Sequence, residues 1–232
     1  ALLDAKTVGW VRCRRESGVT RRSGGEISTR LLHPPVAVAA RLLTDLEVVG
    51  REHVPESGPV ILVPNHVSLL DPPIVILAAH RYTRFLALDE LFGRNRTFDA
   101  ATKHFGTIPM SRVHPPLSAM KTSLEHLRAG GALAIFPEGR RVAYWGESTS
   151  KRGAAWLGIA TGAPLVPIVI EGTEGTLSLA HPRVRRVSIR VTIREAIDPD
   201  AFVSCVAPTL AIMGAWERSV SEILGERNSP QP

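Results

Sequence analysis

Val60-Ile61-Leu62-Val63-Pro64-Asn65-His66-Val67-Ser68-Leu69-Leu70-Asp71-Pro72-Pro73 joins an uninterrupted apolar run to a polar turn and a proline pair. Four consecutive apolar residues, three of them β-branched, read as a strand buried on both faces, as in the interior of a parallel sheet. Pro72 and Pro73 fit the first turn of a helix, where the missing N–H has no intrahelical partner to lose. Strand, turn and helix in that order open an α/β unit. His66 and Asp71 flank the turn. On one continuous helix, five residues put two side chains about 140° apart (five steps of ~100°), too far for a hydrogen bond. The two therefore meet only if His66 precedes the helix and Asp71 lies in its first turn. An imidazole whose tautomer is fixed by a carboxylate is a device for taking a proton from a hydroxyl. On spacing alone, the same residues also make a helix N-cap beside a surface imidazole.

Working outward, the alternation of strand and helix persists. Upstream, Leu46 to Val49 reads as a strand, separated from Val60 to Val63 by the turn Pro55-Glu56-Ser57-Gly58. Pro72 to Ala79 is a helix, and Phe85 to Leu88 and Ile108 to Met110 are short strands. Leu117 to Arg128 is a helix ended by Gly130-Gly131, and Ala132 to Phe136 a buried strand. Gly153 to Thr161 is a small-residue helix closed by Gly162, and Leu165 to Ile170 a further buried strand. Val187, Ile189, Val191 and Ile193 alternate strictly with Ser188, Arg190, Thr192 and Arg194, the pattern of a half-exposed strand. A last helix spans about Ala207 to Leu224. The expected fold is α/β: a single domain, residues 31–232, with a mixed, mostly buried β-sheet flanked by helices on both faces.

Residues 1–30 are rich in Arg, Gly and Ser without a sustained period, and read as a basic, loosely packed, membrane-proximal arm. Val36 to Leu43, entered through Pro34-Pro35, fits a helix that either packs on the sheet or lies in a membrane interface. Its apolar run is broken by Arg41 and is far shorter than the ~18 residues of a spanning helix, so membrane association is expected to be peripheral. The chain opens on Ala1 without a secretory signal pattern, as a trimmed or processed chain would, and export is not expected.

The chain has 44% hydrophobic residues, a mean hydropathy of +0.06, a net charge of +6 and a pI near 10.0. Apolar and basic character together point to a surface where lipid and charge meet, and the basic balance suits an anionic partner: nucleic acid, a membrane leaflet or a phosphorylated substrate. The expected location is the cytoplasmic face of the membrane, held peripherally. Nucleic acid is not the expected partner, because aromatics are only 5% and no binding module is present. Cys13 and Cys205 lack any paired spacing and read as free thiols. The histidines show no metal-ligand spacing, so no metal or resident cofactor is expected.

Three further clusters follow strands. In Gly106-Thr107-Ile108-Pro109-Met110-Ser111-Arg112 an arginine leaves a short strand, with Lys103 and His104 upstream. Arg112 can present its planar fork to a phosphate, or stand as a solvated strand end. In Phe136-Pro137-Glu138-Gly139-Arg140-Arg141, Gly139 allows a tight turn or close ligand approach, and Glu138 with Arg140 offers a charge pair. In Val166-Pro167-Ile168 a proline inside an apolar run argues against a regular central strand, leaving a core segment with possible contact to an acyl chain. Strand ends carrying His/Asp, Arg and Glu/Arg suit a ligand crevice.

Taken in order, Asn65-His66-x4-Asp71, Gly106-x5-Arg112, Phe136-Pro137-Glu138-Gly139 and Val166-Pro167-Ile168 resemble the glycerolipid acyltransferase family that includes bacterial 1-acylglycerol-3-phosphate acyltransferases. The resemblance runs from about residue 46 to residue 170. It implies that His66 is the general base, that Asp71 orients it, and that Arg112, Glu138, Gly139 and Arg140 bind the phosphate-bearing acceptor. It further implies transfer of a fatty acyl group from a thioester donor, acyl-CoA or acyl-carrier protein, to the free hydroxyl of a lysophospholipid such as 1-acylglycerol 3-phosphate. Lys151-Arg152-Gly153 is similar to the basic segment that follows the third motif in this family. Two departures bear on the acceptor: Arg140-Arg141-Val142 stands where many members have Thr-Arg-Ser, and Ser111 where many have Asp. Acceptors such as glycerol 3-phosphate or another lysophospholipid stay open, as does a non-catalytic lipid-binding protein on the same fold.

Overall fold

A computed structural model describes residues 44–88, 106–110 and 117–225. The described chain opens with β1 (Thr44–Val49) and reaches β2 (Val60–Pro64) through one 3-10 turn at Arg51–His53. There follow α1 (Asp71–Ala79), β3 (Thr83–Leu88), β4 (Ile108–Met110), α2 (Leu117–Arg128), β5 (Ala132–Ala134), α3 (Gly153–Thr161), β6 (Leu165–Glu171), β7 (Val187–Ile193) and α4 (Pro208–Leu224). The strands form one sheet in the order β1-β7-β6-β2-β5-β3-β4. Neighbours run parallel except β6 and β7, which are antiparallel. The sheet is therefore mixed, as the sequence predicts.

Every residue of β2 is buried because the strand is covered on both faces. Val60 and Leu62 join the side packed by α1, with Ile74, Ile76 and Ala78. Ile61 and Val63 point the other way, into a cluster with Leu127 of α2, Leu157 of α3 and Trp216 of α4. This is the period-2 alternation of a strand read against two apolar layers. Each fully buried Val, Leu or Ile contributes about 1.5–3 kcal/mol relative to exposure, which fixes both faces of the strand. The crossover from β2 to β3 carries α1 on one face. The crossover from β5 to β6 runs in the opposite sense and carries α3 on the other, as two right-handed crossovers require.

The sequence reading of Pro167 needs correction. Leu165 to Ile170 is a strand as expected, but a central one: Pro167 lies inside β6, between β2 and β7, in register with Val63. The ladder between β6 and β7 begins only at Ile168, opposite Ile193. Pro167 thus stands at the end of the β7 pairing, where its carbonyl accepts the Arg194 N–H at 2.9 Å but its ring nitrogen returns no donor, and the ladder stops. Boundaries differ elsewhere by one or two residues. β1 begins at Thr44, in register with Val187, and β5 ends at Ala134 because the chain turns at Phe136-Pro137. The arm of residues 1–30 and the helix expected over Val36 to Leu43 lie outside the described residues. No described helix is long and apolar enough to cross a membrane. Cys205 is a free, exposed thiol, and Cys13 lies outside the described residues.

Candidate active site

β2, β5, β3 and β4 are mutually parallel, so their C-terminal ends meet one edge of the sheet, joined there by that of β6. Asn65 begins the departure from that edge. The β2–β6 register ends at Pro64, and the buried Asn65 side chain supplies the next rung. Its Nδ2 donates to the Ile170 carbonyl at 3.0 Å, and its Oδ1 accepts the Ile170 N–H at 2.7 Å. A side chain doing the work of a peptide unit frees the main chain to turn toward His66.

The turn closes on one oxygen. Asp71 Oδ2 accepts the N–H groups of Val67 and Ser68, each at 2.7 Å, and lies 2.8 Å from His66 Nδ1. An ionised carboxylate only accepts, so Nδ1 carries the hydrogen and Nε2 presents its lone pair. Asp71 is fully buried as the first residue of α1, a helix end that favours negative charge. His66 retains 17% exposure, which leaves its ring reachable. The arrangement can take a proton from a hydroxyl placed beside Nε2 and return it to a leaving group.

Other segments hold the histidine. Phe136 stacks on the imidazole with ring centroids 4.1 Å apart and planes 25° from parallel. The Val142 N–H donates to the His66 carbonyl at 2.9 Å, and the His66 N–H donates to Glu138 Oε1 at 3.3 Å. From β6's side, the Ser68 hydroxyl donates to the Thr176 carbonyl at 2.7 Å, and the Leu69 N–H to the Leu177 carbonyl at 3.1 Å.

Glu138 is buried, and its Oε2 has no hydrogen-bond partner among the described residues. Burial pushes its carboxyl up to about 7; donation from main-chain N–H groups opposes the rise and the nearby Asp71 charge adds to it. Gly139 adopts φ +67°, and a Cβ there would lie 2.7 Å from Lys151 Nζ, so the glycine lets the backbone run against that ammonium. Arg140 is engaged rather than free: its Nη2 lies 2.8 Å from Glu147 Oε1, in a pair where the arginine is 46% exposed. The Ala143 N–H, then Arg140, hold the Glu147 carboxyl below its ordinary range. Arg112, Lys103 and His104 fall outside the described residues. The structure therefore brings His66, Asp71, Glu138 and Gly139 to one sheet edge, with Arg140 on the adjoining loop.

Glu138 lines two spaces. One is an open groove of about 960 Å³ bordered by Asn65, Val142, Tyr144 and Ile170; the other, about 330 Å³, lies between Arg140, Ser148, Thr149 and Lys151. His66 lines neither, so both volumes lie beside the His66-Asp71 turn and not on it. Among the described residues, no group of three or more His, Cys, Asp or Glu side chains gathers in a way that could hold a metal ion.

Sequence reasoning missed the role of α4. The Trp216 indole N–H donates to the Val63 carbonyl at 2.7 Å, directly before the turn. Trp145 packs edge-on against Trp216 at 5.4 Å, its indole N–H donates to Ser221 Oγ at 3.1 Å, and Ser150 Oγ donates to Glu217 Oε1 at 2.5 Å. One helix thus ties the end of β2 to the loop after β5. The apolar face Ile212, Met213, Trp216 and Val220 was legible as helical, but nothing local in sequence pairs Trp145 with Trp216.

Comparison with known proteins places these features in a family. The chain is 29% identical over 149 residues to the chloroplastic 1-acyl-sn-glycerol-3-phosphate acyltransferase BAT2 of Brassica napus, covering 60% of this chain and 43% of the relative. It is 27% identical over 128 residues to the 1-acyl-sn-glycerol-3-phosphate acyltransferase of Bacillus subtilis, covering 55% and 63%. Over these curated relatives the chain spans about half of their length. The crystal structure of the 1-acyl-sn-glycerophosphate (LPA) acyltransferase PlsC from Thermotoga maritima shares the fold, with a TM-score of 0.67, 24% identity, and coverage of 88% of this chain and 84% of that one. The pattern of the Acyltransferase family matches residues 45–171, more than half of the 232, and includes both the His66-Asp71 turn and the Glu138 loop; the chain belongs to that family.

Proposed function

We propose that this protein transfers a fatty acyl group from a thioester donor to the free hydroxyl of 1-acylglycerol 3-phosphate, giving phosphatidic acid. The observation that carries the reading is the 2.8 Å pairing of His66 Nδ1 with the buried Asp71 carboxylate, which leaves Nε2 as a proton acceptor at the ligand-binding edge of the sheet. His66 Nε2 takes the acceptor hydroxyl proton while that oxygen bonds to the thioester carbonyl carbon. The C–S bond then breaks, and the imidazolium returns the proton to the departing sulfur. Asp71 fixes the tautomer and stabilises the imidazolium, and no covalent acyl-enzyme is needed. Arg112 supplies the charge-assisted contact to the acceptor phosphate, with Glu138, Gly139 and Arg140 shaping the acceptor site. The names of the curated relatives support this acceptor class.

The reading carries a location: peripheral attachment to the cytoplasmic face of an anionic membrane, supported by the net charge of +6 and by the lipid character of the acceptor. Its test is incubation of the purified chain with mixed acyl-CoA and acyl-carrier-protein thioesters together with 1-acylglycerol 3-phosphate, glycerol 3-phosphate and other lysophospholipids, with products identified by mass spectrometry. Phosphatidic acid as the main product supports the proposal. Exclusive acylation of glycerol 3-phosphate or of another headgroup reassigns the acceptor, and no thioester consumption returns the chain to a lipid-binding role.

A further inference from the structure

The stretch Leu179-Ala180-His181-Pro182-Arg183-Val184-Arg185-Arg186 is exposed throughout, yet it is anchored to the catalytic turn. Ser68 and Ser178 form an isolated antiparallel bridge. The loop is closed by the Leu177 N–H donating to the Arg183 carbonyl at 3.3 Å and the Ser178 N–H to the His181 carbonyl at 3.0 Å. The Arg185 N–H donates to Thr176 Oγ1 at 2.9 Å. Leu177 itself is held at φ +47°, a conformation a leucine keeps only when its surroundings fix it. The loop is therefore a shaped projection beside His66.

Its surface chemistry is specific. Leu179 is 51% and Val184 56% exposed, and Leu69, joined to this segment through its own N–H, is 47% exposed. A single exposed apolar side chain is ordinary, but here they are interleaved with guanidinium groups. Arg183 and Arg185 have no carboxylate partner among the described residues, and Arg186 meets Asp45 only in a highly exposed pair at 3.1 Å. We infer that residues 177–186, with Leu69, form a lipid-docking flange that rests on an anionic leaflet next to the catalytic turn. The apolar side chains enter the acyl boundary while the arginines stay with the phosphates. A docking surface for an acidic protein would account for the arginines but leave Leu179 and Val184 without a role. The inference rests on the proposed lipid acceptor, and it assigns to the folded domain a contact that composition alone placed in residues 1–30.

The test is flotation of the full chain with vesicles of phosphatidylcholine alone, or of phosphatidylcholine and phosphatidylglycerol in equal parts. Acyl transfer to a water-soluble short-chain acceptor is measured in parallel. Losing about fivefold per arginine, R183A/R185A should bind the mixed vesicles about twenty-five-fold more weakly. L179S/V184S should weaken binding to both vesicle types, and both variants should keep short-chain turnover. Wild-type binding by both variants overturns the inference. So does a R183A/R185A variant that binds vesicles normally but fails with an acyl-carrier-protein donor, which assigns the patch to an acidic protein. Absence of transfer by the wild-type chain to any acceptor defeats the proposed reaction, and the vesicle arm still decides the flange.

Discussion

The turn of residues 65–71 and the loop of residues 138–151 stand side by side, but they are built by different means. The turn is over-determined: Asn65 is locked to Ile170, one Asp71 oxygen gathers the His66 ring and two N–H groups, and Phe136 and Val142 hold the histidine from outside. The loop is fastened at its base by the Lys151 N–H on the Pro137 carbonyl and at its side by α4, while its charged groups meet in exposed pairs such as Arg140 with Glu147. A proton acceptor must be in place before the substrate arrives, because misplacement by an ångström forfeits the reaction. Cations that receive a charged headgroup gain from being able to exchange partners. Under the proposed reaction, the turn sets rate and the loop sets affinity.

Substitutions ranked by expected effect can break this contrast. Asp71→Asn should lower kcat by about two to four orders of magnitude, because the His66 tautomer and the turn both depend on that oxygen. Steady-state rates on protein with an unchanged circular dichroism spectrum check it; a loss under tenfold would make the turn less decisive than its geometry implies. Asn65→Leu should cost about 2–4 kcal/mol of stability, since the Ile170 N–H and carbonyl are both left buried and unpaired. Urea unfolding measures this directly, and a cost below about 0.5 kcal/mol would show that the backbone can heal the rung.

Glu138 joins the two regions through the His66 N–H, and its titration sharpens the comparison. Its folded pKa is raised from 4.5 to about 7, so between those values the folded chain binds more protons than the unfolded chain. Stability then falls as pH rises through that window, by no more than about 3 kcal/mol. Unfolding at pH 5 and pH 8 should show this loss in the wild type and its absence in Glu138→Gln; equal pH dependence of the two would contradict it. Arg140→Ala is expected to be smallest in stability, within about 0.5 kcal/mol, as exposed pairs are. It should raise the acceptor KM with little change in kcat, and a change confined to the donor KM would remove Arg140 from the acceptor site.

Much of the fold was legible because periodicity reports burial. The uniform apolarity of Val60 to Val63 and the alternation of Val187 to Ile193 match a strand covered on two faces and one covered on one. Pro167 is tolerated in a central strand because the β6–β7 ladder ends beside it, and where a ladder ends is not displayed in sequence. The His66-Asp71 meeting was legible from spacing, since only a turn before a helix could bring them together. Phe136 stacking on His66, seventy residues away in the chain, arises from sheet order, and the hold of Trp216 on Val63 from the packing of α4 on the sheet; neither leaves a local trace.

The central claim is that His66 is the base in acyl transfer, and its most direct measurement is kcat of purified His66→Ala beside wild type, with 1-acylglycerol 3-phosphate and a thioester donor both saturating. The account predicts a fall of at least about 10²-fold in protein that still folds, because Asp71 keeps the Val67 and Ser68 N–H groups when the imidazole is removed. Activity within a fewfold of wild type in folded His66→Ala protein would contradict it.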